Sequence, residues 1–295
     1  MKATQSQPLI IFLHLPKTAG STLRSIIERQ YDSSRILHLY ESDFGAEGAA
    51  ISPSQLARLC VVMGHFYFGA HTFFSRPSSY ITLLRDPIER VISHYYYARR
   101  ASSHYFCDSA RRLSLKEFVR YCSRMSKKSG TALGYCSDND QTRQLAGQCG
   151  VPSFEISSEE MLKIAKRNLA EYFAVVGIAE EFDRSLILIK RILGWCNPFY
   201  TKQNVSRGRA QKEDLAPETL RVIEAYNALD IELYRYAKQL FEEKIRSQGP
   251  SFEKELQAFR MLNGAYSLLN VLLSAARRRV ETASPVVRSL FVRHE

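Results

Sequence analysis

Leu9-Ile10-Ile11-Phe12-Leu13-His14-Leu15-Pro16-Lys17-Thr18-Ala19-Gly20-Ser21-Thr22-Leu23 reads as strand, loop and helix. The apolar run breaks at Pro16, a basic residue and a small-residue turn follow, and helical periodicity begins near Ser21. Such a loop suits an anion. The first N–H groups of a helix have no partner within it, and the helix dipole adds partial positive charge there. Phosphate groups bind readily at such places. Gly20 lets the main chain come close and Lys17 adds a full charge. The Lys precedes the Gly here, whereas the nucleotide-binding P-loop places a Lys after its second Gly. The turn is therefore an anion loop of another kind.

A second stretch repeats the pattern. Ser79-Tyr80-Ile81-Thr82-Leu83-Leu84-Arg85-Asp86-Pro87-Ile88-Glu89-Arg90 gives a strand to Leu84, an N-cap at Asp86 and a helix opened by Pro87. Arg85 falls at the C-terminal end of a strand, where open α/β sheets bind ligands. Its planar fork suits bidentate contact with phosphate. Ser93 lies two helical turns further on, in reach of the same anion.

Five further segments accompany these two. They are Met63-Gly64-His65-Phe66, Ser137-Asp138-Asn139-Asp140-Gln141-Thr142-Arg143-Gln144-Leu145-Ala146-Gly147, Val176-Gly177-Ile178-Ala179-Glu180-Glu181-Phe182, Asn204-Val205-Ser206-Arg207-Gly208-Arg209 and Leu229-Asp230-Ile231-Glu232-Leu233-Tyr234. In order and spacing the set resembles the carbohydrate sulfotransferases, in the branch that includes heparan sulfate 2-O-sulfotransferases and their bacterial-type relatives. The resemblance covers about residues 8–245.

That resemblance implies a P-loop-like α/β fold, with a central parallel sheet flanked by helices. It implies 3′-phosphoadenosine 5′-phosphosulfate (PAPS) as donor and 3′-phosphoadenosine 5′-phosphate (PAP) as product, with no metal. Lys17, Thr18, Ala19, Gly20, Ser21 and Thr22 would hold the 5′-phosphosulfate, and Arg85 and Ser93 the 3′-phosphate. Arg207 and Arg209 would close over the nucleotide. Lys17 would also stabilise charge on the leaving phosphate. His65 is the expected general base, because a histidine near neutral pKa suits proton abstraction from a sugar hydroxyl. The resembled enzymes carry His-Gly-His there, and this chain has Met63 in place of the first. His71 stands as the alternative base and a substrate contact. Asn139, Gln141 and Arg143 form a dense hydrogen-bonding group suited to a sugar, or alternatively a solvated polar turn.

Net charge is +11 with 45% hydrophobic residues, the composition of a globular chain with an anionic partner. Arg85 to Lys128 alone carries eleven Lys/Arg against four Asp/Glu. No nucleic-acid module is recognisable. The six cysteines show no zinc or redox spacing, so thiols are expected. The apolar region after Met1-Lys2 is too short for a signal peptide, which predicts a cytoplasmic protein. Strands alternate with helices from residue 9 to about 193, and Pro217 to Ile245 is helical. Gln248-Gly249-Pro250 divides a domain of residues 1–247 from a basic helical extension of 248–295. In that extension Leu262, Tyr266, Leu269, Leu273 and Ala276 share one stripe. The stripe predicts packing on the core or on a second subunit as a homodimer, with peripheral membrane contact as the alternative. The acceptor is expected to be a carbohydrate, including an anionic polysaccharide or glycolipid. Two other classes remain open, a nucleotide kinase or NTPase and a non-catalytic polyanion- or membrane-binding protein.

Overall fold

A computed structural model of the chain describes residues 8–40, 52–129, 137–147, 158–201 and 208–282. The strands are β1 (Leu9–Leu13), β2 (Ile36–Tyr40), β3 (Val61–His65), β4 (Ser78–Leu84) and β5 (Phe173–Ile178). They form a parallel sheet in the order β2-β3-β1-β4-β5. The helices are α1 (Gly20–Gln30), α2 (Pro53–Arg58), α3 (Pro87–Arg100), α4 (Cys107–Arg112), α5 (Leu115–Ser129), α6 (Asp140–Ala146), α7 (Ser158–Tyr172), α8 (Phe182–Leu193), α9 (Pro217–Tyr226), α10 (Ala228–Arg246) and α11 (Ser251–Thr282). This is the α/β architecture expected from the alternating pattern. β1 is apolar at every position because both of its faces are covered.

β2, α2, α4 and α6 escape the sequence pattern. β2 falls in Ser33 to Pro53, a stretch whose glycines and polar residues predict turns. It is a half-exposed edge strand, with only Leu39 buried, so it lacks the apolar run of its neighbours. α4 and α6 fall in residues 101–155, where the sequence predicts a single helix near Ser114 to Met125. The helical run from Pro217 to Ile245 is broken at Asn227, which separates α9 from α10.

The strand order reverses between β1 and β4. The chain leaves β1 towards β2 and leaves β4 towards β5, which opens a crevice at the C-terminal ends of those two strands. Lys17 follows β1 and Arg85 follows β4, so the two motifs meet there. Phe252, Leu256 and Phe259 from the start of α11 join the same buried core as β1 and α8. Residues 248–259 thus pack as part of the main body.

Candidate active site

The loop after β1 is wound tightly. Lys17 and Ala19 both have left-handed main chain, at φ 69° and 66°. Non-glycine residues rarely adopt that region, and it costs on the order of 1 kcal/mol or more for each. Thr18 is buried and its hydroxyl donates to the Leu15 carbonyl at 2.8 Å. α1 begins at Gly20 with no side-chain cap. The N–H groups of Ala19, Gly20 and Ser21 donate to no group among the described residues. Gly20 is required by its neighbour, since a Cβ there would lie 2.0 Å from the His14 ring.

Arg85 bridges the crevice. Its Nη1 donates to the Lys17 carbonyl at 3.1 Å, and its other nitrogens face Glu89 at 3.4 Å and Glu180 at 3.8 Å. Arg209 donates to the same Glu89 oxygen at 2.7 Å. Burial lowers the Arg85 pKa, with Arg209 adding to the effect and the two glutamates opposing it. The Lys17 ammonium sits 3.9 Å from the centre of the Tyr97 ring. Burial, reinforced by Arg85, Arg100 and Arg209, brings its pKa down to about 8. Lys17, Arg85 and Arg209 therefore lie close enough to act on one another beside this loop, with one carboxylate shared between the two arginines. An anion entering here would be drawn by charge, N–H groups and helix dipole together.

His65 is the last residue of β3, on the other side of β1 from Arg85. Its Nδ1 lies 2.7 Å from the His14 carbonyl oxygen. A carbonyl only accepts, so Nδ1 carries the proton and Nε2 the lone pair. Burial lowers the His65 pKa, partly offset by this bond, so the ring is neutral at pH 7. Gly64 before it has φ 159°, and a Cβ would strike the Leu39 carbonyl at 1.7 Å. The Tyr40 ring, half exposed, lies 6.3 Å from that of His65.

Other expected residues fall elsewhere. Ser93 is buried on α3, and its hydroxyl has no partner among the described residues. His71 lies in a short 3-10 turn, with its Nδ1 3.0 Å from the Tyr80 hydroxyl and its ring against Tyr172. Tyr80 pairs with Phe173, the first residue of β5. His71 therefore sits by the N-terminal half of the sheet and is not brought together with Lys17, His65 and Arg85. Arg207 lies outside the described residues.

Asn139, Gln141 and Arg143 spend their hydrogen bonds inside the protein rather than in an open polar turn. Gln141 is buried, and it receives the Arg85 N–H at 3.0 Å and donates to the Arg85 carbonyl at 2.9 Å. Arg143 holds Asp138. The Asn139 side chain accepts from Leu229 N and Asp230 N, capping α10. Asp230 in turn accepts from Gln141 N and from the N–H and hydroxyl of Thr142, capping α6. Two helices distant in sequence cap each other, and the joint aims Arg85. Tyr40, Glu89, Glu180 and Asp230 join the site and were not among the sequence candidates. Tyr40 was hidden because β2 was read as turn. Asp230 carried a signal, since it lies in one of the quoted motifs.

Comparison with known proteins places the chain in a family. The galactose-3-O-sulfotransferase family matches residues 1–273. Heparan-sulfate 6-O-sulfotransferase 1-B of Danio rerio is 32% identical over 201 residues, 61% of this chain and 48% of that protein. The human heparan-sulfate 6-O-sulfotransferase 1 is 30% identical over 56% of this chain and 44% of its own. Galactose-3-O-sulfotransferase 3 of Bos taurus is 24% identical over 94% of this chain and 68% of its own. The chain spans about half the length of the heparan-sulfate relatives. Mouse sulfotransferase SULT7A1 complexed with PAP is a similar solved structure, at 16% identity and TM-score 0.30, over 80% of this chain and 89% of that one. The resemblance to carbohydrate sulfotransferases therefore holds, with galactose-3-O and heparan-sulfate 6-O enzymes as the relatives found. The match runs through the phosphate loop, the Arg85 turn and both halves of the helix joint, and the chain belongs to the galactose-3-O-sulfotransferase family, a family of carbohydrate sulfotransferases.

Proposed function

We propose that the protein is a PAPS-dependent O-sulfotransferase acting on a carbohydrate hydroxyl, with His65 as base. The observation that carries the reading is the cluster of Lys17, Arg85 and Arg209 beside the loop whose N–H groups at Ala19 to Ser21 donate to no group among the described residues, one strand away from a neutral His65. These residues fit a nucleotide bearing phosphates at two positions. The Lys17 loop would take the 5′-phosphosulfate, and Arg85, with Ser93 on α3, the 3′-phosphate. When bound, PAPS supplies an activated sulfuryl group on a good leaving phosphate.

The chain's own work is then positioning and charge. His65 Nε2 takes the acceptor hydroxyl proton as the oxygen bonds to sulfur, while the bond from sulfur to the 5′-phosphate oxygen breaks. Lys17 and the N–H groups of Ala19 to Ser21 balance the charge left on the phosphate. His14 sets the tautomer of the base through its carbonyl. Tyr40 offers an amphipathic face beside His65 on which a sugar ring can lie.

Calorimetry with PAP tests the cofactor site. Tight binding by the wild type is expected, weakened about ten- to hundredfold by Lys17→Ala and by Arg85→Ala, as charged hydrogen bonds of about 1.5–3 kcal/mol imply. A folded wild type that ignores PAP would overturn the proposal and favour a polyanion-binding protein. Acceptor sugars are then screened with labelled PAPS.

The pH dependence follows from the two perturbed groups. The acid limb of kcat/KM reports protonation of His65, so it lies below the ordinary histidine value of about 6.5. The alkaline limb reports loss of the Lys17 proton near pH 8. An anionic donor favours charged Lys17, so PAP affinity is full below that pH and falls above it. Lys17→Arg should move the alkaline limb upward while retaining part of the affinity. An unmoved limb would assign it to another group.

A further inference from the structure

We infer that the outer half of α11 docks on the surface of an anionic lipid bilayer. This half of the helix is separate from the crevice at the ends of β1 and β4.

α11 changes polarity along its length. In its first turns Phe252, Leu256 and Phe259 face inward and are buried, while Glu255 pairs with Lys190 and Arg191. Beyond Arg260 the pattern inverts. The residues that face the body are polar. Asn263 accepts from the Tyr200 N–H at 2.7 Å, Ser267 donates to the Tyr200 carbonyl at 3.1 Å, and the Tyr266 hydroxyl accepts from Arg29 at 3.1 Å. The residues that face outward are apolar. Met261, Leu262, Leu268, Leu269, Val271 and Leu272 are between 53% and 73% exposed.

At about 100° per residue, the exposed positions from 261 to 273 cover an arc of about 200°. The four inward positions, Asn263, Tyr266, Ser267 and Asn270, fill the remainder. A soluble helix has the opposite arrangement. The seam of a two-helix contact is a narrower stripe, so a second copy would leave much of this face in water. A bilayer interface takes up a broad apolar face whole. Charge selects the same partner. Met261 to Ala276 contains no Asp, Glu, Lys, Arg or His, Arg277-Arg278-Arg279 follows on the same helix, and the whole chain is at +11. A basic run that follows an apolar stretch in the sequence complements anionic headgroups. No helix among the described residues is long and apolar enough to cross a membrane, so the contact lies along the surface.

Flotation of the full chain with vesicles tests this, using phosphatidylcholine alone and phosphatidylcholine with phosphatidylglycerol. The wild type should float with the anionic vesicles and much less with the neutral ones. Leu268→Glu with Leu272→Glu should cut that partition about tenfold or more while circular dichroism and PAP binding stay unchanged. Equal partition of wild type and variant would overturn the inference. So would a wild type that ignores both vesicles yet sediments as a dimer that the same two substitutions split, a result that assigns the face to a second copy.

Discussion

His65→Ala lowers kcat by about 10²–10⁴-fold, the usual worth of a positioned general base, and leaves PAP affinity within about threefold of wild type. The split follows from the geometry. His65 stands at the end of β3, beyond β1 from Arg85, and makes none of the contacts that assemble the cation cluster. Its Nδ1 is committed to the His14 carbonyl, so Nε2 alone is open to an acceptor. His65→Gln keeps most of the volume and a donor towards His14 but has no basic nitrogen. It should lose as much turnover as the alanine. Comparable loss of PAP affinity and kcat would instead show that His65 supports the loop. Near-normal turnover would sink the base role. His71 would not inherit it, because its ring is held at Tyr80 and Tyr172.

The phosphate loops were legible in the sequence because each is a local event. A strand ends, the chain turns and a helix starts, and the residues that specify all three are adjacent. Gly20, Asp86 and Pro87 act on their own neighbours. α6 was not legible for the opposite reason. Its first turn is Asp140-Gln141-Thr142-Arg143, a polar run with left-handed Asn139 ahead of it and no cap from its own segment. The cap arrives from Asp230, about ninety residues away. Read without α10, the run suits a sugar contact or a solvated turn, and neither reading makes it a helix. β2 was missed because an edge strand with one buried residue lacks an apolar run. The motif around Leu229-Asp230 carried no chemistry when read alone. In the fold it is the other half of the joint begun at Asn139, which gives a physical reason for both segments to accompany the phosphate motifs.

That joint predicts the largest loss of stability. Asp230 is fully buried, and its carboxylate receives Gln141 N at 3.1 Å, Thr142 N at 2.7 Å and the Thr142 hydroxyl at 2.7 Å. Asp230→Ala removes the acceptor and strands two main-chain donors where water does not reach. Breaking a buried charged network costs about 3–5 kcal/mol, a fall in Tm of about 10 °C for a chain of this size. Asp140 adds a readout. Burial raises its pKa to about 6 against the pull of Arg90, with Asp230 adding to the rise. A carboxyl whose folded pKa lies above its unfolded value costs stability as pH rises through that interval. Removing the Asp230 charge therefore flattens the decline between about pH 4 and pH 6, even as total stability drops. If the alanine variant does not fold, Asp230→Asn keeps one acceptor for Thr142 and should cost about half as much. Asn139→Ala uncaps α10 from the other side. Because the two caps are reciprocal, the double variant should lose less than the sum of the singles. The consequence for function runs through Gln141, which fixes both main-chain groups of Arg85. Loosening α6 should therefore weaken PAP binding without touching any cation. An Asp230→Ala protein within 1 kcal/mol of wild type would show that the two helix ends are held by packing, and that Arg85 is aimed by its own strand.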